Sequence, residues 1–284
     1  MITVLESIKL STQYLHEKGI DSPRVNAELL LADILKCKRL DLYLLFDRPL
    51  TELELNKYRE YLKRRGNFEP LQYILGKVEF FGLEIIVNDS VLIPRPETEL
   101  LVEKIINDYK SNLNLTILDI GCGSGNISIA LAVNLESARI FTTDVKISSL
   151  EVAKENARRH SVEKRIYFIN HNILEQGLDE FEKFDIVVSN PPYVSKENYS
   201  TLQKEVKDFE PITAVTDGND GLTFFKAICE KTANKFKPNG KLYFEIAEGQ
   251  MDDVQKIMKQ NNFINISTIK DYQNIHRIVY GEMK

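Results

Sequence analysis

Apolar positions fall at two different spacings along the chain, and the change between them divides it. Up to about residue 66 the spacing is helical. Leu5, Ile8, Thr12 and Leu15 recur every three to four residues, and Gly19 stops that helix. Asp21-Ser22-Pro23 starts a second helix with Pro23 near its first position, and Ala27, Leu30, Leu31, Ile34 and Leu35 form its buried stripe. A short helix over 40–46 and another opened by Pro49-Leu50-Thr51 complete a small bundle. Then the spacing shortens. Residues 78–87 read as two strand-like runs around Gly82, a hairpin.

From Leu115 onward strand and helix patterns alternate. Strands are expected at Leu115–Ile120, Arg139–Thr143, Arg165–Ile169, from Phe184, at Lys241–Ala247, Phe263–Ile269 and Arg277–Tyr280, the last antiparallel. Ile186-Val187-Val188 is apolar and β-branched, which suits a strand covered on both faces. Pro238-Asn239-Gly240 is expected to form a turn before the fifth strand. Strand–helix alternation of this kind builds a doubly wound α/β sheet. The expected domains are a helical recognition domain over 1–70, a β-hairpin linker over 71–90 and a catalytic domain over 91–284.

Composition narrows the class without choosing a function. Of 284 residues, 43% are hydrophobic and 28% charged, an ordinary globular mixture. No apolar run approaches the roughly 20 residues that span a membrane, and the N-terminus lacks the basic-then-apolar layout of a signal peptide. Cys37, Cys122 and Cys229 are too few and too scattered for a disulfide framework or a zinc site, so a cytoplasmic, reducing setting is expected. His16, His160, His171 and His276 show no metal spacing. A net charge of −5 argues against a stable nucleic-acid partner. One basic cluster stands out: Lys57, Arg59, Lys63, Arg64 and Arg65. A solvated helix face accounts for it, and contact with an acidic partner or RNA is the functional alternative.

The chemistry lies where the strands end. After the first comes Gly121-Cys122-Gly123-Ser124-Gly125, preceded by Asp119. Glycines let backbone turn sharply and approach a ligand closely. Asp144 ends the second strand about 20 residues later, where doubly wound folds hold ribose hydroxyls. The dinucleotide fingerprint has a final small residue after this loop, and Asn126 stands there instead, which argues against NAD. Beyond the third strand are His171-Asn172-Ile173-Leu174. The fourth strand runs into Asn190-Pro191-Pro192-Tyr193, a polar amide held on proline-stiffened backbone at a strand's C-terminal edge. A rigid turn would account for it by itself. Arg95 sits between Pro94 and Pro96, placed to reach a ligand carboxylate or a cofactor.

The pattern Asp119-x-Gly121-x-Gly123-x-Gly125 resembles that of class I S-adenosylmethionine-dependent methyltransferases. The runs Pro70 to Gly76, Phe80-Phe81-Gly82, Ile93 to Glu99, Asn190 to Tyr193, Phe209-Glu210-Pro211 and Asp220-Gly221-Leu222 follow in the order found in one family. Together they resemble the peptide chain release factor N5-glutamine methyltransferases, the PrmC/HemK family, across essentially the whole chain. That resemblance implies a Rossmann-like, seven-stranded, mostly parallel sheet with a small N-terminal helical bundle joined by a β-hairpin. It implies S-adenosyl-L-methionine as cofactor, held by Gly121, Cys122, Gly123, Ser124, Gly125 and Asp144, with Asn172 and Ile173 at the adenine and Asn190 beside the methyl group. It implies class I release factors as partners, the glutamine of their Gly-Gly-Gln loop as acceptor, and the helical module as the part that contacts them.

Asn-Pro-Pro-Tyr is also found in methyltransferases acting on adenine N6. Planar nitrogens are poor nucleophiles, so acceptors must hold both N–H groups while the lone pair faces the methyl. The Asn190 side-chain oxygen and the Pro191 carbonyl are suited to accept, and Tyr193 to stack on the flat group. An N6-adenine DNA methyltransferase is therefore the alternative, disfavoured by the acidic composition. The chain departs from the family pattern at Cys122, where threonine is usual, at Asn172, where aspartate is usual, and at Asn274, where glycine is usual.

Overall fold

A computed structural model describes residues 2–284. The chain forms two compact units. One runs through Lys77 and also includes Gln203–Phe209; the other comprises Val78–Leu202 and Glu210–Lys284. The hairpin region is thus divided near its first strand, and a short segment far along the chain joins the helical unit.

The helical unit contains α1 (Val4–Glu17), α2 (Pro23–Leu35), a 3-10 turn (Arg39–Tyr43), α3 (Glu52–Gly66) and α4 (Leu71–Leu75). Thr3 and Thr51 cap α1 and α3 through reciprocal bonds with Glu6 and Glu54. The buried stripe of α1 is Val4, Ser7, Ile8, Ser11 and Leu15, one position away from Leu5, which is exposed. The basic cluster does not act as one solvated face. Arg65 is buried, donating to Asn26 Oδ1 and the Glu69 carbonyl and pairing with Glu205. Arg64 pairs with Glu69. A buried guanidinium requires such partners, because stranding the charge would cost several kcal/mol.

The second unit follows the expected alternation. Its elements are β1 (Lys77–Phe80), which begins at the unit boundary, β2 (Leu83–Ile86), α5 (Pro96–Tyr109), β3 (Thr116–Ile120), α6 (Asn126–Asn134), β4 (Arg139–Asp144), α7 (Ile147–Arg159), β5 (Ile166–Asn170) and β6 (Phe184–Ser189). Three short helices follow, α8 (Lys196–Tyr199), α9 (Lys204–Phe209, in the helical unit) and α10 (Ile212–Val215). Then come α11 (Thr223–Thr232), β7 (Phe236–Glu245), α12 (Met251–Gln260), β8 (Phe263–Lys270) and β9 (His276–Met283). The sheet order is β5-β4-β3-β6-β7-β9-β8, with β9 antiparallel to both neighbours. All five residues of β3 are buried, and the Ile186–Ser189 stretch of β6 likewise. Phe184, Phe225, Phe244 and Val254 pack in one apolar cluster, each worth roughly 1.5–3 kcal/mol of burial.

Pro238-Asn239-Gly240 is not a turn ahead of the strand. It lies inside β7 as a bulge, with the register slipping between Phe184↔Phe236 and Ile186↔Lys241. Proline and close backbone approach are both tolerated at bulges. A Cβ on Gly240 would lie 3.0 Å from the Phe184 carbonyl oxygen. Asn274 takes a left-handed conformation (φ 64°), as the missing glycine requires. Asp271 braces that turn by accepting from the Gln273 and Ile275 N–H groups and pairing with Arg277. No helix of the described residues is long and apolar enough to cross a membrane.

The strand order reverses direction between β3 and β6. A crevice opens there at the carboxyl ends of the strands, where open α/β sheets bind ligands.

Candidate active site

The glycine loop leaves β3 at that crevice. Gly121, Gly123 and Gly125 all have positive φ (80°, 52° and 79°). Their reasons differ. A Cβ at Gly121 or Gly123 would meet nothing within 4 Å, so the missing side chains leave an open cradle. A Cβ at Gly125 would sit 2.9 Å from the Ala153 Cβ, so this glycine lets α6 close on α7. Cys122 and Ser124 face inward and are buried. Cys122 packs with Leu150 and Ala153, and burial pushes its thiol well above the ordinary range. They shape the loop, while Gly121 and Gly123 border the cavity.

Asp144 ends β4 facing the same space. Its two carboxylate oxygens accept from the N–H groups of Gly123 (3.0 Å) and Lys146 (2.9 Å). Burial raises its pKa, opposed by those backbone donors. A carboxylate has about four acceptor positions, so two remain for a vicinal diol. Asp119 lies deeper, wholly buried. Its Oδ2 accepts from Ser128 Oγ at 2.6 Å while Oδ1 has no partner, and burial pushes its pKa up to about 6. Asn156, unremarked in the sequence, holds the loop from behind. Its amide donates to the carbonyls of Ser124 (2.9 Å) and Ile86 (3.0 Å) and accepts from the Ile86 N–H (2.7 Å), tying β2 to the glycine loop.

The cavity beside the loop measures about 270 Å³. Gly121, Gly123, Asp144, Asn172, Ile173, Asn190, Pro191 and Pro192 all border it, so residues from four strand ends converge. Ile173 is buried there. Asn172 Oδ1 accepts from the Leu174 N–H at 3.1 Å, which closes a local turn and leaves the side-chain NH₂ as a donor.

Asn190 is anchored from its nitrogen end. Nδ2 donates to Thr98 Oγ1 at 3.2 Å, and Thr98 Oγ1 donates to Glu245 Oε2 at 2.6 Å. Tyr193 donates its hydroxyl to the other oxygen, Oε1, at 3.2 Å. Glu245 is buried at the end of β7, and desolvation pushes its pKa up to about 7. Tyr193 is partly buried and packs against the core, with its hydroxyl committed to Glu245. Arg95 likewise has an internal partner. It pairs with the buried Glu210, which also accepts from the Ile93 N–H at 3.1 Å. Sequence reasoning passed over Thr98 and Glu245. The signal for Glu245 was a lone carboxylate ending the apolar run Leu242-Tyr243-Phe244; Thr98 was hidden between two acidic residues that suit a helix start.

A glycine cradle, an acidic residue on the next strand and a clamped amide at the fourth, on this sheet order, define a class I methyltransferase. The sequence agrees with that class. Residues 6–76 match the model of the PrmC N-terminal domain and residues 96–208 that of the methyltransferase small domain. A release factor glutamine methyltransferase of Fusobacterium nucleatum is 41% identical, with 98% of this chain and 78% of the relative covered. One of Geobacter sulfurreducens is 36% identical over 99% and 97%. A methyltransferase structure from Pyrococcus furiosus shares the fold at a TM-score of 0.52 and 17% identity, covering 72% of this chain and 90% of that one. The chain belongs to the release factor glutamine methyltransferase family.

Proposed function

We propose that this enzyme transfers a methyl group from S-adenosyl-L-methionine to the side-chain amide nitrogen of the Gly-Gly-Gln glutamine in class I peptide chain release factors, in the cytoplasm. The observation that carries the reading is the anchoring of Asn190. With Nδ2 tied to Thr98, the amide oxygen is the end left for the cavity, on the same crevice as the glycine cradle and Asp144. Relatives named release factor glutamine methyltransferases, matched over 98% and 99% of this chain, favour this reading over an adenine methyltransferase.

The residues fit the cofactor. Gly121 and Gly123 leave room for close approach, Asp144 keeps two acceptor positions for ribose hydroxyls, and Ile173 offers an apolar wall to adenine beside the Asn172 donor. When bound, S-adenosylmethionine supplies a methyl group on positively charged sulfur, an electrophile that needs no further activation.

The chain's task is to prepare the acceptor. An amide nitrogen has its lone pair delocalised into the carbonyl. Asn190 Oδ1 and the Pro191 carbonyl each accept one N–H of the substrate amide, which holds the nitrogen in place and stabilises positive charge developing on it. Pro191 and Pro192 keep both acceptors on stiff backbone, so little reorganisation is needed as the charge builds. No strong base is required beforehand, because the proton becomes acidic only once the nitrogen is alkylated.

Labelled S-adenosylmethionine, a release factor and its Gly-Gly-Gln→Gly-Gly-Ala version provide the test. Label should enter the first protein and not the second. Equal label in both would overturn the assignment of the acceptor.

A further inference from the structure

We propose that Glu245, acting through Thr98, is the positioning residue that sets which end of the Asn190 amide faces the cavity. The inference rests on the function proposed above and deepens it.

Hydrogen-bond direction carries the argument. An ionised carboxylate can only accept. Glu245 Oε2, 2.6 Å from Thr98 Oγ1, therefore takes the threonine proton, and Oε1 takes that of Tyr193. Thr98, its single proton committed, can offer Asn190 only a lone pair. The Asn190 group that meets it must be a donor, which is Nδ2 at 3.2 Å. Oδ1 is thereby turned to the cavity as an acceptor for a substrate N–H. Thr98, Glu245 and Asn190 come from α5, β7 and the end of β6, so three separate elements determine one amide orientation.

Protonating Glu245 removes the constraint. Its hydroxyl can donate to Thr98, Thr98 can then donate to Asn190, and the amide is free to turn over. That would present an NH₂ group to a substrate NH₂ group, donor against donor. Glu245 ionises near neutrality in this setting, with desolvation raising its pKa to about 7. The charged groups facing it are Glu97 at the start of α5, which raises its pKa, and Arg277 at the start of β9, which lowers it. Arg95 and Arg277 both act on its partner Tyr193.

The test uses the full-length enzyme with three variants: Glu245→Gln, Thr98→Val and Thr98→Ser. Turnover, KM for release factor, cofactor affinity by calorimetry and the pH dependence of kcat are measured. Glu245→Gln and Thr98→Val should lower kcat by roughly 10- to 100-fold, the scale on which supporting residues act at other sites, with cofactor affinity within about threefold of wild type. Thr98→Ser keeps the hydroxyl and should restore most of the activity. Wild-type kcat should rise with pH along an acid limb that Glu245→Gln lacks. A Glu245→Gln enzyme with wild-type kcat and the same limb would overturn the proposal, as would Thr98→Val matching Thr98→Ser.

A second measurement needs no turnover. The Asn190 side-chain NH₂ resonances, assigned by their loss in Asn190→Ala, should titrate with pH in the wild type and stay flat in Glu245→Gln. Equal titration in both contradicts the relay. If the wild type methylated no glutamine while these resonances behaved as expected, the function proposed above would fail and the relay would stand.

Discussion

At the scale of single residues, the site divides into groups that face the cavity and groups that hold them there. Asn190 is of the first kind and Thr98 and Glu245 of the second. In the proposed nitrogen clamp, Asn190→Ala removes one acceptor, and kcat should fall by roughly 10²- to 10³-fold, the range seen when one preorganised hydrogen-bonding group is deleted. Calorimetry should find cofactor affinity nearly unchanged. Turnover close to wild type would mean that the amide is held by other groups. Asp144→Ala should do the reverse in binding. Losing two hydrogen bonds to a charged acceptor should weaken cofactor affinity by roughly 10- to 100-fold or more, measured by the same titration. Unchanged affinity would remove Asp144 from the ribose.

At the scale of elements, the strand ends matter because each delivers one part of the site. The glycine loop, Asp144, Asn172 and Asn190 were legible in the sequence, since each follows a short β-branched or apolar run and carries a residue type with a local physical reason to be there. Thr98 and Glu245 were not. They lie 147 residues apart, and nothing short-range in either stretch points to the other. The bulge in β7 was hidden for a related reason: Pro-Asn-Gly has the local chemistry of a turn, and only pairing with β6 absorbs it into a strand. The glycines give a test at this scale. Gly125→Ala places a Cβ against Ala153 at a positive φ, and overpacking plus backbone strain should cost about 2–4 kcal/mol, seen as a lower Tm. Gly121→Ala carries the same left-handed backbone strain but meets no protein atom, so it should cost only about 1–2 kcal/mol, less than Gly125→Ala, and should also weaken cofactor affinity. Equal loss of Tm in both variants would contradict the division of roles.

At the scale of the molecule, two buried carboxylates behind the candidate site make folding stability depend on pH. Burial raises Glu245 from 4.5 to about 7 and Asp119 from 3.8 to about 6. A raised carboxylate favours the folded state most below its unfolded pKa, and that advantage is lost as pH rises through the folded value. For Glu245 the loss is on the order of 3 kcal/mol between pH 4.5 and 7. Glu245→Gln should therefore match or exceed the wild-type Tm at pH 8 while turning over more slowly, and its Tm should vary less between pH 5 and 8. A Tm at pH 8 well below wild type would mean that the charged group stabilises the fold. The segment Gln203–Phe209 shows what local pattern could not reveal. It follows the Asn-Pro-Pro-Tyr loop in sequence yet belongs to the helical unit, where Glu205 meets the buried Arg65 across 140 positions.

The central claim is that the acceptor is a glutamine amide nitrogen held by Asn190. Fragmentation mass spectrometry of the release-factor peptide containing Gly-Gly-Gln, after reaction with wild type and with Asn190→Ala, tests it most directly. One methyl group should appear on the glutamine side-chain nitrogen with the wild type and at most a trace with Asn190→Ala in the same time. A methyl group on any other atom, or equal modification by both enzymes, would contradict it.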